Sequence, residues 1–316
     1  MKKTELSIVV PIYNEAYNIV DLHQEVCLAL DQTGVVFEII CVDDGSQDGS
    51  FDILAELAAK DSRLRVVRLR RNFGQTAAMA AGFKVCRGDV IVPMDGDLQN
   101  DPADIPHLLA KIHEGFDVVS GWRKSRKDTL ISRRLPSVFA NRLISKMTGV
   151  VLHDYGCSLK AYRREVLSEI NLYGEMHRFI PALASQVGAR VTEIVVNHRP
   201  RRAGVSKYGI DRTLRVILDL VTVKFLLKYS AKPLQLFGKW GIGIGFLGVA
   251  AGLMTLYMKF FEDLSMNRNP LLILSAFLLF TGVHLVCLGL LGELVTRTYY
   301  EAQDKPIYSI RETLNL

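Results

Sequence analysis

Phe37-Glu38-Ile39-Ile40-Cys41-Val42 is a short apolar run, and Asp43-Asp44-Gly45-Ser46 follows it at once. The pattern recurs on both sides. Leu6 to Val10 leads into Pro11-Ile12-Tyr13-Asn14-Glu15, and Val90 to Met94 leads into Asp95-Gly96-Asp97-Leu98-Gln99. Leu64 to Leu69 and Val118 to Ser120 complete a set of five expected buried strands, with helical periodicity over 16–32, 47–60, 75–86 and 104–114 between them. Strands spaced by helices predict β-α-β units and a mostly parallel sheet covered on both faces, so the fold class is α/β. Ligands of such sheets bind beyond the carboxyl ends of the strands. The three carboxylate-bearing loops fall on that edge.

Asp95 and Asp97 are two residues apart at an expected strand end, and strand geometry turns residues i and i+2 to the same side. Both carboxylates, with Gln99, then face one cation, and oxygen donors of this kind suit Mg²⁺ or Mn²⁺ held jointly with substrate phosphates. Alone, a D-G-D stretch is equally an ordinary surface turn; the two upstream acidic loops favour the ligand reading. Asp44 is placed to accept a hydrogen bond from a base N–H, while Ser46 or Asp48 is expected to cap the following helix. Glu15 is expected either to cap a helix beginning near Ala16 or to bind ligand.

The rest of the composition bounds the class. The chain has 316 residues, 49% hydrophobic and 23% charged, with a formal charge of +6. That balance excludes a disordered chain, and Gly 24 and Pro 10 exclude a collagen-like one. Cys27, Cys41, Cys86, Cys157 and Cys287 are scattered and form no C-x-x-C, which argues against a disulfide scaffold or thiolate zinc site. The seven histidines form no H-E-x-x-H; only His198, beside a basic motif, invites a test, and His284 is expected to face another helix.

Apolar residues concentrate near the C-terminus. Trp240 to Met258 and Asn269 to Gly292 are uncharged, each near the ~20 residues that cross a hydrocarbon core of about 30 Å. A buried hairpin of a soluble protein is the competing reading. Two adjacent runs with a short connector predict a transmembrane hairpin at 237–292, with helices at 240–258 and 270–292. Gly241, Gly245, Gly248 and Gly252 permit close helix approach. Gly241-Ile242-Gly243-Ile244-Gly245 is not a dinucleotide loop, because Phe246 stands where the third glycine belongs.

Lys224, Lys228, Lys232 and Lys239 precede the first run, and Arg297, Lys305 and Arg311 follow the second. This bias predicts both termini and the polar part on the cytoplasmic side of the inner membrane. Met1-Lys2-Lys3 and the few apolar residues before Pro11 do not make a signal peptide. Residues 211–236 alternate apolar and cationic positions (Arg212, Arg215, Lys224, Lys228), as in an amphipathic helix lying in the membrane interface. The expected organisation is a catalytic-type domain over 1–210, the interfacial helix, the hairpin, and a tail at 293–316 that packs back on the first domain.

Together these residues carry a resemblance. Pro11–Glu15, Asp43–Ser46, Asn72-Phe73-Gly74-Gln75 with Gly82, and Asp95–Gln99 resemble the inverting nucleotide-sugar glycosyltransferases of GT-A fold, which have a Rossmann-like sheet. Asp154-Tyr155-Gly156-Cys157-Ser158-Leu159-Lys160-Ala161-Tyr162-Arg163-Arg164, Arg201-Arg202-Ala203-Gly204-Val205-Ser206-Lys207-Tyr208 and the two apolar runs narrow the likeness. They are similar to polyprenyl-phosphate glycosyltransferases: dolichyl-phosphate mannosyltransferases, bactoprenol glucosyltransferases and undecaprenyl-phosphate formamido-arabinose transferases. The resemblance covers nearly the whole chain and does not specify the sugar.

It implies that Pro11, Tyr13, Glu15 and Asp44 line a nucleoside pocket, and that Asp95, Asp97 and Gln99, with Gly96 between them, hold Mg²⁺ or Mn²⁺ and the donor diphosphate. Arg123, Arg201, Ser206 and Lys207 would meet the phosphates of donor and polyprenyl phosphate acceptor, and Asp154 would orient a basic group. Two departures stand out: Gly96 replaces a commoner Ala, and Asp101 stands where Pro is frequent. A lipid monophosphate is already anionic at pH 7, so no carboxylate is expected as an essential base. The cationic clusters would instead hold one anion against another. In-line attack would invert the anomeric carbon.

A processive polysaccharide synthase is one alternative, but Q-x-x-R-W and further spans are missing from the sequence. A membrane-anchored protein that binds nucleotide-sugars or anionic lipid without turnover is another, and the intact Asp95, Asp97 and Gln99 argue against it. Nucleic acid is not an expected partner, since no recognised module accompanies the basic clusters. The small-residue faces and the resemblance favour a homo-oligomer, with a tetramer as the expected form.

Overall fold

The computed structural model describes residues 3–124, 149–172, 174, 176–200 and 306–316, with isolated positions at 145, 222, 273, 280, 283, 284, 287, 291, 294, 295 and 298. The chain divides into two compact units, Met1–Val223 with Pro306–Leu316, and Lys224–Lys305. In the second unit, Phe280 and His284 stack one helical turn apart at 5.8 Å between ring centroids. No helix among the described residues is long and apolar enough to cross a membrane. Apart from those isolated positions, the expected interfacial helix and hairpin lie outside the described residues.

The first unit is built on one sheet. Its strands are β1 (Leu6–Ile12), β2 (Phe37–Asp43), β3 (Leu64–Leu69), β4 (Val90–Pro93), β5 (Val118–Trp122), β6 (Lys160–Arg163), β7 (Val191–Val195) and β8 (Ile310–Leu314). They lie in the order β7-β5-β6-β4-β1-β2-β3-β8. β1 pairs in parallel with β2 and β4, β2 with β3, and β5 with β7. In β1 and β2 nearly every residue is buried, as strands packed on both faces require.

Helices α1 (Ile19–Asp31), α2 (Ser50–Lys60), α3 (Gln75–Val85) and α4 (Ile105–His113) alternate with these strands. α1 buries Ile19, Leu22, Val26 and Leu30, one stripe at helical spacing. α3 packs through small residues instead: Ala77, Ala78, Ala81 and Gly82 are all buried. A Cβ on Gly82 would stand 2.4 Å from Val9 Cγ1, so this helix approaches β1 more closely than any side chain allows. Two shorter helices follow, α5 (Arg164–Ser168) and α6 (Ile180–Gln186).

The sheet keeps its mostly parallel core and adds three strands beyond the expected five, β6, β7 and β8; β7 lies at one edge, parallel to β5. β6 is antiparallel to both β4 and β5 and lies between them, so the sheet is mixed rather than a run of β-α-β units. Within the C-terminal segment, β8 pairs antiparallel with the outer edge of β3. The side-chain amide of Asn315 then donates to the Ala58 and Leu64 carbonyls at 2.8 and 2.9 Å.

Candidate active site

Parallel pairing brings the loops after β1, β2, β3 and β4 to one edge, where they interlock. Asn14 N–H donates to Ser46 Oγ at 3.0 Å, Gln47 N–H to Asn14 Oδ1 at 2.9 Å, and Glu15 N–H to Ser50 Oγ at 3.0 Å. Asn14 adopts φ 54°, a left-handed conformation that Asn tolerates better than most residues. The capping expectations need correction. α2 begins after Gly49, not at Ser46, and Asp48 takes the Ser50 amide and also the Ala16 amide across the gap. α1 starts at Ile19 with Asn18, not Glu15, at its N-cap, and the Glu15 carboxylate accepts from the Asn18 side-chain amide at 2.7 Å.

Asp44 grips the third loop. Its two oxygens accept the Phe73 and Gly74 amides at 2.7 and 2.9 Å. Burial raises its pKa above the ordinary carboxylate value, and these two amides act in the opposite direction. Beside it Gly45, at φ 72°, lies so close to Arg71 and Asn72 that a Cβ would stand 2.5 Å from the Arg71 carbonyl carbon. Pro11, at the end of β1, and Tyr13, just beyond it, are partly exposed on the same edge.

Asp95 and Asp97 lie beyond the end of β4, in a turn. The expectation that strand geometry aligns them is therefore incorrect; a left-handed Leu98 (φ 60°, buried) shapes the turn instead. Asp95 Oδ1 accepts from Gln75 Nε2 at 2.8 Å and Oδ2 from Ser158 Oγ at 2.7 Å, while its amide donates to Asn100 Oδ1 at 3.0 Å. Burial and the neighbouring Asp97 carboxylate push the Asp95 carboxyl above its ordinary value. Asp97 is buried and accepts from the Gln99 amide at 3.2 Å. Two like charges drawn together out of water, both presenting oxygen, fit a hard divalent cation. The side-chain amide of Gln99 reaches toward the Arg199 carbonyl at 3.5 Å. Gly96 is tightly held: a Cβ there would meet Ile12 Cδ1 at 2.8 Å.

The second wall comes from β5, β6 and the segment before β6. Arg123 pairs with Asp154 through Nε to Oδ2 at 2.7 Å and Nη2 to Oδ1 at 3.0 Å. Burial disfavours the guanidinium charge, but the Asp154 bonds outweigh it and raise the pKa. The basic group that Asp154 meets is thus Arg123. Below this loop, the buried Lys160 ammonium donates to the Tyr155 and Cys157 carbonyls, and burial lowers its pKa to about 8. The loop therefore carries Asp154 and Ser158 on a shared support.

Asp101, unplaced by the sequence, is a clasp. It accepts Ala103 N–H and caps a 3₁₀ turn at Pro102–Asp104. It also pairs with Arg199 (2.6 Å) and accepts from Asn197 Nδ2 (2.9 Å), while Arg199 bonds Glu25 of α1. Arg201, Ser206 and Lys207 lie outside the described residues.

Gln75, Asn100 and Ser158 were not singled out as site residues; Gln75 and Ser158 do lie within the quoted motifs. Arg178 has no sequence signal. It sits in a 3₁₀ turn (Met176–Phe179) whose His177 imidazole is hydrogen-bonded to Thr76 Oγ1 at 2.7 Å. Arg178 and Arg123 both lie within electrostatic reach of Asp95. Elsewhere, His23, Cys27 and Asp61 cluster, but Arg63 Nη2 already bonds Asp61 at 2.9 Å and Cys27 Sγ at 3.5 Å, so a cation is already in place there.

Residues 7–170 match the family described as glycosyl transferase family 2. A dodecaprenyl-phosphate galacturonate synthase of Rhizobium johnstonii is 44% identical over 316 residues, covering 99% of this chain and 94% of that protein. An undecaprenyl-phosphate 4-deoxy-4-formamido-L-arabinose transferase of Shewanella sediminis is 37% identical over 311 residues, covering 98% and 92%. Among solved structures, glucosyl-3-phosphoglycerate synthase of Mycobacterium tuberculosis, in complex with Mn²⁺, UDP and phosphoglyceric acid, superposes with a TM-score of 0.55 at 19% identity, over 71% of this chain and 78% of that one. Mannosyl-3-phosphoglycerate synthase of Rubrobacter xylanophilus gives 0.56 at 18% identity, over 70% and 74%.

Proposed function

The chain belongs to glycosyl transferase family 2, and from that membership we propose that it moves a sugar from a UDP- or GDP-linked donor to a polyprenyl phosphate, inverting the anomeric carbon. The observation that carries this reading is the turn that holds a partly exposed Asp95 and a buried Asp97, with the Asp154-held Arg123 in electrostatic reach of it. The acceptor class follows from the names of relatives that match along nearly the whole chain.

Asp95 and Asp97, with Gln99, would hold Mg²⁺ or Mn²⁺, which supplies positive charge against the charge developing on the departing diphosphate. Pro11, Tyr13, Glu15 and Asp44 would line the nucleoside pocket, with Asp44 fixing its floor through the Phe73 and Gly74 amides. Arg123, joined by Arg201, Ser206 and Lys207, would hold the phosphates. The nucleophile is an anion already, so no proton has to be removed from it, and these cations hold it against the repelling donor diphosphate. Asp154 keeps Arg123 charged and aimed. The apolar runs and their Lys/Arg flanks support a hairpin in the inner membrane with the catalytic unit on the cytoplasmic face. The small residues of the first run support a homo-oligomer.

The test is a membrane fraction holding the protein, given undecaprenyl phosphate, Mg²⁺ and a panel of radiolabelled UDP- and GDP-sugars. Label entering an organic-extractable, mild-acid-labile product is the expected result and names the sugar. No transfer from any donor in a broad panel overturns the reading in favour of binding without turnover.

A further inference from the structure

The geometry points to Arg178 as a second phosphate-contacting cation of this site, acting with Arg123. The inference rests on the proposed transfer and adds a residue that neither motif spacing nor the basic clusters single out.

The placement is built through α3. Gln75 and Thr76 are its first two residues, and each ties down one wall. Gln75 Nε2 donates to Asp95 Oδ1 at 2.8 Å, while Thr76 Oγ1 lies 2.7 Å from His177 Nδ1. The turn that carries Arg178 is thus fixed to the same helical turn as the acidic pair. Met176, His177 and Phe179 are buried, and only Arg178 of the four is partly exposed. Burial, with Arg178 and Lys160 nearby, lowers the His177 pKa well below its ordinary value, so His177 adds no charge of its own. Arg178 therefore brings the turn's cation.

Its charge reaches Asp95 on one side and Lys160 on the other. Asp95 does not depend on it for hydrogen bonds, since Gln75 and Ser158 engage both of its oxygens. Charge counting gives the reason for a further cation. Among these described groups, three carboxylates (Asp95, Asp97, Asp154) stand against three cations (Arg123, Lys160, Arg178), so a bound dication gives the set an excess of two positive charges. A phosphate monoester or a diphosphate brings the matching negative charge. Loss of Arg178 halves the excess.

That balance yields effects of opposite sign, which a merely structural residue would not give. The full chain in detergent is compared with Arg178→Gln and Arg178→Lys, using Mn²⁺ alone, UDP with saturating Mn²⁺, and farnesyl phosphate. In Arg178→Gln a repelling cation is gone, so Mn²⁺ alone binds about fivefold tighter. A charge-assisted bond to phosphate is also gone, so UDP or farnesyl phosphate binds about tenfold weaker or more. Weakening confined to UDP assigns Arg178 to the donor diphosphate; weakening confined to farnesyl phosphate assigns it to the acceptor.

Unchanged phosphate binding on both arms overturns the proposal, as does a joint loss of Mn²⁺ and phosphate affinity. Should Arg178→Gln not fold, Arg178→Lys decides. It keeps the charge but loses the planar fork, so Mn²⁺ binding stays native and phosphate binding falls about threefold; native phosphate binding there overturns the proposal. Opposite shifts in a protein that transfers no sugar leave the phosphate assignment standing and remove the transferase reading. Transfer without those shifts removes Arg178 alone.

Discussion

The Arg123 guanidinium is held edge-on by the Asp154 carboxylate, with two of its nitrogens on the two carboxylate oxygens at 2.7 and 3.0 Å. Asp154 also accepts the Gly156 amide at 3.1 Å, so the carboxylate is itself fixed in the loop. Asp154→Asn keeps the shape and removes the charge. Breaking a buried pair on one side costs about 3–5 kcal/mol, so thermal unfolding should shift clearly downward. Sugar transfer should fall tenfold or more through a higher KM for a phosphate-bearing substrate, and Mn²⁺ should bind more weakly because the site loses one negative charge. Unchanged KM values would count against the assignment of Arg123 to phosphate.

Asp97→Ala should abolish transfer while the protein stays folded. Its side chain accepts the Gln99 amide within its own turn. Mn²⁺ binding followed by EPR should be lost in parallel. Native transfer rates in this variant would refute the metal role.

Two glycines in the site should respond unequally to alanine. Gly45 combines φ 72° with backbone atoms 2.5–2.8 Å from any Cβ, and backbone cannot yield cheaply. Gly45→Ala should cost about 3 kcal/mol and weaken nucleotide binding. Gly96→Ala meets only the tip of Ile12 at 2.8 Å, with ordinary φ. It should cost less than about 1.5 kcal/mol and leave transfer near native. Stability curves in denaturant measure both.

Lys160 gives a pH signature. Burial lowers its folded-state pKa from 10.5 to about 8. Between those values the unfolded chain binds the extra proton, so stability attributable to this group rises as pH increases from about 8 toward 10.5. Below about 8 the buried charge costs its full penalty. The difference in unfolding free energy between native protein and Lys160→Met should change with pH across that window and be flat below it. A flat difference throughout would show that the ammonium is solvated.

Arg199→Met should loosen the turn that follows Gln99. Asp101 then loses its guanidinium partner, and Glu25 loses the same one. Burial raises the Asp101 pKa, but Asn197, Ala103 and Arg199 outweigh that and hold it below the usual range. Expected are a raised Mn²⁺ dissociation constant and a rise in hydrogen exchange at residues 97–104. Exchange unchanged at those amides would show that the pair carries no load.

Much of this was legible because the chemistry sits in uninterrupted local patterns. β1, β2 and β4 are apolar runs followed at once by acidic loops, and buried parallel strands leave such runs no other reading. β6 was not legible. Lys160-Ala161-Tyr162-Arg163 is charged at both ends, and its burial depends on carbonyls of Tyr155 and Cys157 that only the folded loop supplies. β8 was missed as a strand because Ile310-Arg311-Glu312-Thr313-Leu314 is a mostly exposed edge with no apolar alternation to betray it. The Arg123–Asp154 pairing joins residues 31 apart, and family likeness supplied only an unnamed basic partner for Asp154. Asp101 and Arg199, 98 apart, carried no spacing signal at all.

The outermost strand sets a practical limit on dissecting this molecule. β8 reaches β3 from 244 residues downstream, measured at Arg68 and Glu312, so the sheet rim near the third loop stays uncovered until that distant segment has been made. A fragment stopped after residue 223 would expose a row of unpaired amides and carbonyls, and such rims recruit copies of themselves. Grafting residues 306–316 back through a flexible linker should turn a clumping fragment into a dispersed one.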